Sequence, residues 1–330
     1  MLRLSDFDYN LPAELIAQYP LEKRDLAKLM VLNRKEATIT HSIFKDIPGY
    51  FRSGDLLVLN DTKVLPSRLK GSRLTGGKVE VLLLRHKNNS TFQALIKPAR
   101  IKVHERIVFN GGDLSAEITA KNEITFAVKD SASVYKHGRM PLPPYIKRPP
   151  EDLDNTYYQT VYARNEGAIA SPTAGLHFTW ELISRIRSNR INIANITLHI
   201  NYPTFKPVKE ENIEDYRMEG EYFNIEDQAA GLIKETRLSQ SRIIAVGTTS
   251  CRALETYACG VRQGYTDLFI YPGYKFKMVD CLLTNFHLPR TTLFMLVCAF
   301  AGRDFAHRAY QQAIDHRYRF YSYGDAMLII

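Results

Sequence analysis

Two short segments place hydroxyls or an imidazole where a turn could aim them at a ligand. The first is Val246-Gly247-Thr248-Thr249-Ser250. The apolar run Arg242 to Val246 reads as a strand, and a helix is expected from about Cys251 to Ala258. Free N–H groups and hydroxyls at such a turn could hold a carboxylate, a phosphate or a ribose. The same residues also suit an ordinary turn with Ser as the helix cap. The second segment is Ser171-Pro172-Thr173-Ala174-Gly175-Leu176-His177-Phe178-Thr179. Its Pro and Gly make a stiff loop, and His177 lies just ahead of a helix over Thr179–Asn189. Such a histidine could move protons near neutral pH or simply make a structural hydrogen bond. His199 and His287 are open to the same two readings. Tyr271-Pro272-Gly273-Tyr274 and Tyr321-Ser322-Tyr323-Gly324-Asp325 add aromatic turns that could stack on unpaired bases or pack in a core. The common phosphate-loop, dinucleotide, zinc-protease and serine-hydrolase signatures are missing from the sequence.

The elements around these segments alternate. Strands are expected over Asp55–Asn60, Ile191–Ile200, Arg242–Val246 and Asp267–Tyr271. Helices are expected over Thr179–Asn189 and Glu226–Leu238, and near Thr292–Ala301 and Asp304–Arg317. This order predicts an α/β domain with a largely parallel sheet. Residues 63–149 read differently. Short strand candidates at Lys78–Leu84, Thr91–Lys97, Arg106–Phe109, Leu114–Thr119 and Ile124–Val128 are separated by turns such as Gly111-Gly112-Asp113. That spacing suggests a small barrel or sandwich. It would be inserted into an α/β domain made of residues 1–62 and 150–330.

Charge singles out the same segment. Residues 63–149 hold 17 Lys or Arg against 6 Asp or Glu, whereas the rest of the chain holds 27 against 29. All the excess positive charge of a +9 chain therefore sits in one segment. Lys and Arg displace counterions from phosphates, so such a segment suggests a polyanionic partner such as RNA, though a solvated basic face has the same composition. The 45% hydrophobic content allows a sizeable core and argues against disorder. Leu293–Ala301 is about half the roughly 20 residues of a membrane span. The N-terminus lacks a long apolar leader, so a cytoplasmic location is expected. Cys251, Cys259, Cys281 and Cys298 form no Cys-x-x-Cys pair, so reduced thiols, no disulfide and no metal are expected.

A set of peptides then narrows the reading. Phe7-Asp8-Tyr9-Asn10-Leu11-Pro12, Gly54 to Lys63, Gly77-Lys78-Val79-Glu80, Met140 to Ile146, Tyr158 to Ala163, Pro172 to Thr179, Val246 to Ser250, Leu283 to Pro289 and Tyr323 to Met327 occur in order along nearly the whole chain. In them the chain resembles the S-adenosylmethionine:tRNA ribosyltransferase-isomerases of queuosine biosynthesis. The resemblance implies an α/β domain carrying an inserted β-barrel. It implies transfer and isomerisation of the ribosyl moiety of S-adenosylmethionine onto 7-aminomethyl-7-deazaguanine at the wobble position of tRNA. The products would be epoxyqueuosine, adenine and methionine. S-adenosylmethionine would be the only small co-substrate, with no metal, and a monomer is expected. The sulfonium would acidify the C5′ hydrogens of the sugar, and the acceptor amine would have to give up a proton.

Within that resemblance, His177 and Glu221 are the candidate proton carriers. Thr248, Thr249, Asn285 and Phe286 are candidates for holding the donor, and Arg68, Lys97 and Arg100 for phosphate contacts. The chain also departs from the family. A Gly-x-Gly-Thr-Phe loop is replaced by Asn201-Tyr202-Pro203-Thr204-Phe205, which alters backbone freedom. A His-x-Met-His-x-Glu pattern is replaced by Tyr216-Arg217-Met218-Glu219-Gly220-Glu221, without either histidine. Ala27-Lys28 stands where Ser-Arg is usual after Arg24-Asp25. Two other readings stay open at this point: an S-adenosylmethionine-dependent RNA methyltransferase, and a non-catalytic tRNA-binding relative.

Overall fold

A computed structural model describes residues 2–201 and 208–330. The altered loop at Tyr202–Phe205 therefore lies outside the described residues. The chain opens with β1 (Lys28–Asn33), β2 (Thr38–Ile43), β3 (Leu56–Asn60) and the short β4 (Thr62–Val64). It then forms β5 (Arg68–Arg73), β6 (Lys78–His86), β7 (Thr91–Lys97), β8 (Arg106–Phe109), β9 (Leu114–Ala120) and β10 (Glu123–Phe126). Two short helices follow, α1 (Ser131–Tyr135) and α2 (Asp154–Tyr157), then β11 (Asn165–Ala168), α3 (Trp180–Ser188), β12 (Asn192–Leu198) and β13 (Glu221–Asn224). The last part contains α4 (Asp227–Leu238), β14 (Ile243–Val246), α5 (Thr248–Tyr257), β15 (Gln263–Thr266), β16 (Cys281–Asn285), α6 (Thr292–Ala301), α7 (Arg303–Asp315) and β17 (Ala326–Ile329).

Among the described residues, nine strands make one sheet in the order β15-β13-β12-β3-β14-β16-β17-β1-β2. The expected largely parallel sheet is corrected to a mixed one. β12, β3, β14 and β16 run parallel as a central block. β17 is antiparallel to β16 and parallel to β1, and β2, β13 and β15 pair antiparallel. The connection from β16 to β17 explains part of this. One crossover helix returns a chain to the end of the sheet where the strand began, which keeps strands parallel. Here two helices, α6 and α7, follow in series, so the chain re-enters the sheet reversed. The expected strand over Asp267–Tyr271 is also corrected, because pairing with β13 uses Gln263–Thr266 instead.

The alternation of each central strand sorts its side chains to two faces. Leu56, Val58, Ile243, Ala245 and Leu282 pack with α4 to α7 on one side. Leu57, Leu59, Ile244, Val246 and Leu283 pack with α3 on the other. Strands buried on both faces read as unbroken apolar runs, as these do. Cys251, Cys281 and Cys298 are buried, and Cys259 is exposed. No helix among the described residues is long and apolar enough to cross a membrane.

The basic segment closes into a six-stranded antiparallel barrel in the order β10-β7-β6-β5-β8-β9. Leu69, Val81, Phe92, Ile107, Ile118 and Ile124 are among the side chains that fill it. Glycine is required at position 71, where a Cβ would stand 2.7 Å from the Phe109 ring and the Val108 carbonyl. Val134 of α1 joins the same core, and Asp130 caps that helix by accepting from the Ser133 N–H at 2.9 Å.

Candidate functional site

The carboxyl ends of parallel strands in an open sheet are where ligands bind, because the following loops diverge there. β3, β14 and β16 end side by side in Asn60, Val246 and Asn285. A cleft lies over these ends. Gly247, Thr248, Thr249, Thr284, Asn285 and His287 line it from the sheet, and Ala170 to Ala174, Tyr145, Tyr321 and Ser322 complete the walls.

Helix α5 begins at Thr248 rather than Cys251, with Gly247 as its cap at φ 89°. That positive φ suits glycine and disfavours other residues. The earlier start puts Thr248, Thr249 and Ser250 in the first turn. Their N–H groups precede the reach of any intrahelical acceptor. Thr248 and Thr249 are both buried and both face the cleft.

Asn285 is fixed on three sides. Its Oδ1 accepts from the Thr173 hydroxyl at 2.9 Å, and its Nδ2 donates to the Asp325 carbonyl at 3.3 Å and to His177 Nε2 at 3.1 Å. The carbonyl settles which end of the amide is nitrogen. His177 Nε2 is then an acceptor, and its ring is neutral. Burial pushes the His177 pKa down to about 4, partly opposed by a hydrogen bond to the Arg24 backbone. His177 itself lines a smaller neighbouring pocket with Arg24, Tyr157, Leu176 and Tyr323, with Ser322 shared between the two. Asn285 thus stands between His177 and the Thr249 cleft.

The remaining expected residues are distributed as follows. Phe286 points away from the cleft into the core, fully buried against Tyr310, Tyr318 and Phe320. Glu221 is buried in an ion pair with Arg252 of α5, and its Oε1 accepts from the Asn201 N–H at 3.0 Å. Arg252 also donates to the carbonyls of Leu268 and Thr266, at 2.9 and 3.1 Å. Arg68, on β5, pairs with Glu80 at 2.8 Å and donates to the Leu142 carbonyl at 2.9 Å. This ties the barrel to the 140–146 strap that carries Tyr145 into the cleft wall. Lys97 and Arg100 are exposed on the barrel. The structure therefore brings together Thr248, Thr249 and Asn285, and places His177, Glu221 and Phe286 behind them.

Two further cleft residues, His287 and Tyr321, stood in the sequence only in segments with two open readings and no assigned role. His287 lines the cleft, with Nε2 2.8 Å from the Thr284 hydroxyl, and burial lowers its pKa to about 3. Tyr321 sits at φ 74°, a left-handed conformation that costs a bulky residue on the order of 1–3 kcal/mol. Its N–H donates to the Phe286 carbonyl at 2.9 Å, which holds the turn. Gly324 closes that turn, where a Cβ would stand 2.4 Å from the Arg319 carbonyl. Tyrosine clusters and a glycine in the Tyr321–Asp325 peptide were the available signal, but core packing gives the same pattern.

The two neutral histidines make stability depend on pH. Unfolded, each takes up a proton near pH 6.5; folded, His177 does so near 4 and His287 near 3. The unfolded state then binds more protons over that window, so stability is full above pH 6.5 and falls as the pH drops. The expected loss is about 2 kcal/mol per histidine by pH 5. Urea midpoints at pH 7 and 5 measure it, and His177→Gln should roughly halve the slope.

The sequence matches the family described as Queuosine biosynthesis protein over residues 4–329. The chain belongs to that family. A relative from Sulfurihydrogenibium sp. (strain YO3AOP1), named S-adenosylmethionine:tRNA ribosyltransferase-isomerase, is 51% identical over the full length of both chains. A relative of the same name from Aquifex aeolicus is 48% identical, again over the full length of both. The crystal structure of S-adenosylmethionine tRNA ribosyltransferase from Thermotoga maritima is 38% identical, covers 98% of this chain and all of that one, and superposes with a TM-score of 0.58. The match to the family and to these three proteins thus spans both the barrel and the cleft of this chain.

Proposed function

We propose that this chain is an S-adenosylmethionine:tRNA ribosyltransferase-isomerase acting on 7-aminomethyl-7-deazaguanine at the wobble position of tRNA, with epoxyqueuosine, adenine and methionine as products. The observation that carries this reading is the cleft at the ends of β3, β14 and β16, walled by Tyr145 of a strap that Arg68 ties to a basic barrel. Family membership at about 50% identity over the full length supports the same reaction class.

Thr248, Thr249 and Asn285 bind the donor. The carboxamide of Asn285 is held so firmly by Thr173, His177 and the Asp325 carbonyl that it orients a ligand without reorganising. His177 acts on that amide through Nε2. The donor's own sulfonium supplies the acidity at C5′, so the protein's task is to orient, to exclude water and to accept a proton. Lys97 and Arg100 contact phosphate. Arg68, paired to Glu80, braces the strap.

Mass spectrometry of the wobble nucleotide after incubation with precursor tRNA and S-adenosylmethionine tests the assignment. An added ribosyl unit with release of adenine and methionine is expected. S-adenosylhomocysteine as product would replace this reading with a methyltransferase, and tRNA binding without turnover would replace it with a non-catalytic relative. Lys97→Ala with Arg100→Ala should weaken binding to many RNAs alike and reduce the salt slope by about 1–2, since each lost phosphate contact removes about 0.7–0.9. An unchanged slope in filter binding across salt would remove both from the interface.

A further inference from the structure

We propose that Asn60 is a positioning residue that fixes the direction of the Thr249 hydroxyl proton, committing it to the donor's carboxylate at the open end of α5. The inference rests on the donor reading given above. Asn60 Oδ1 accepts from two backbone N–H groups, Leu198 at 3.0 Å and Thr62 at 3.2 Å. Two donors on that side allow only one orientation of the amide. Nδ2 must face the other way, where it donates to the Leu198 carbonyl at 2.9 Å and to Thr249 Oγ1 at 3.2 Å. The Thr249 oxygen is therefore an acceptor on the Asn60 side, and its own proton turns elsewhere. Asn60 is fully buried, and Thr249 lines the cleft.

What the proton meets follows from its surroundings. The N–H groups of Thr248, Thr249 and Ser250 lie in the first turn of a ten-residue helix, where they lack intrahelical acceptors and the helix dipole favours an anion. A second observation points to the same ligand. Ser171 lines another wall of the cleft at 4% exposure, and its buried Oγ has no partner among the described residues. The N–H groups can only donate, and the Thr249 and Ser171 hydroxyls each have a proton to donate. A carboxylate, which only accepts and offers about four lone-pair directions, matches them. S-adenosylmethionine carries one such group on its methionine part.

Calorimetric titration of the full-length chain with S-adenosylmethionine reads the proposal. Thr249→Val and Asn60→Asp should each weaken binding about tenfold or more, the worth of a hydrogen bond to a charged group. In N60D the second carboxylate oxygen captures the Thr249 proton. The double variant should bind no worse than the weaker single variant, because both changes remove one and the same interaction. Losses that multiply would overturn the role of Asn60, since a packing role is independent of the Thr249 hydroxyl. Should N60D fail to fold, Asn60→Ala serves. It should weaken binding about threefold or more in the wild-type background and not at all in the T249V background. Equal losses in both backgrounds would overturn the proposal. Decarboxylated S-adenosylmethionine tests the group: T249V should leave its affinity unchanged, and a loss of about tenfold there would overturn the carboxylate assignment. A wild-type chain that takes up no S-adenosylmethionine would sink the donor reading itself. Wild-type uptake combined with multiplying losses would sink only the part played by Asn60.

Discussion

Arg252→Ala is expected to cost about 3–5 kcal/mol of folding stability, because it strands the Glu221 carboxylate inside the protein. Both side chains are almost completely buried, and Arg252 bonds two further carbonyls. The guanidinium links α5 to β13, β15 and the segment after it, so its loss also opens the wall beside the donor turn. Thermal unfolding should fall by roughly 6–15 °C. Replacing the pair together, Arg252→Met with Glu221→Leu, should recover part of that, since it leaves no unpaired buried charge, although the Asn201 N–H and the Leu268 and Thr266 carbonyls lose their partners. The comparison also decides what Glu221 does. If it carries a proton in the reaction, the double variant recovers stability while kcat stays low. If it only anchors Arg252, activity returns with stability.

Phe286→Ala should be nearly as damaging, at about 3–5 kcal/mol, through the cavity it leaves. The ring packs edge-on against Tyr310 and Tyr318 and tilted against Phe320, with no exposed surface. Although it follows Asn285 directly, it points to the opposite face of the sheet. Its loss should therefore appear in the urea midpoint and leave the KM for S-adenosylmethionine at the wild-type value in protein that remains folded. A raised KM with unchanged stability would place the ring in contact with the donor and contradict its position in the core. Phe286→Leu, which keeps most of the volume, should restore most of the stability.

These two residues show where sequence reading stops. Phe286 and Glu221, the partner of Arg252, both lie in segments compared with the family's motifs, and both sit close in number to cleft or loop residues. Only side-chain direction distinguishes Phe286 from Asn285, and direction depends on which strand face meets which layer. Glu221 was legible as the acidic residue remaining in a changed motif. Its partner Arg252 lies 31 residues away on a helix, and no local pattern links them. His177 was legible as an imidazole in a rigid loop. That Asn285 occupies its Nε2 and that burial keeps it neutral are consequences of packing between the Thr173–His177 turn and β16.

The sequence by itself determined the periodicities. Apolar runs at Leu56–Leu59 and Ile243–Val246 read as buried strands, and short alternating runs between polar and Gly-containing turns suggested a small barrel or sandwich. The clustering of basic residues in that module, and the family peptides in their order, were equally legible. Tertiary structure alone decided strand direction, because two serial helices reverse the chain before β17 and hydropathy carries no sign along a strand. It also decided which polar groups meet. Asn60, Thr249 and Asn285 are far apart in number, yet they converge because three parallel neighbouring strands end at one edge of the sheet. Hydrogen-bond partners are chosen there by ångström-scale geometry that composition and spacing do not encode.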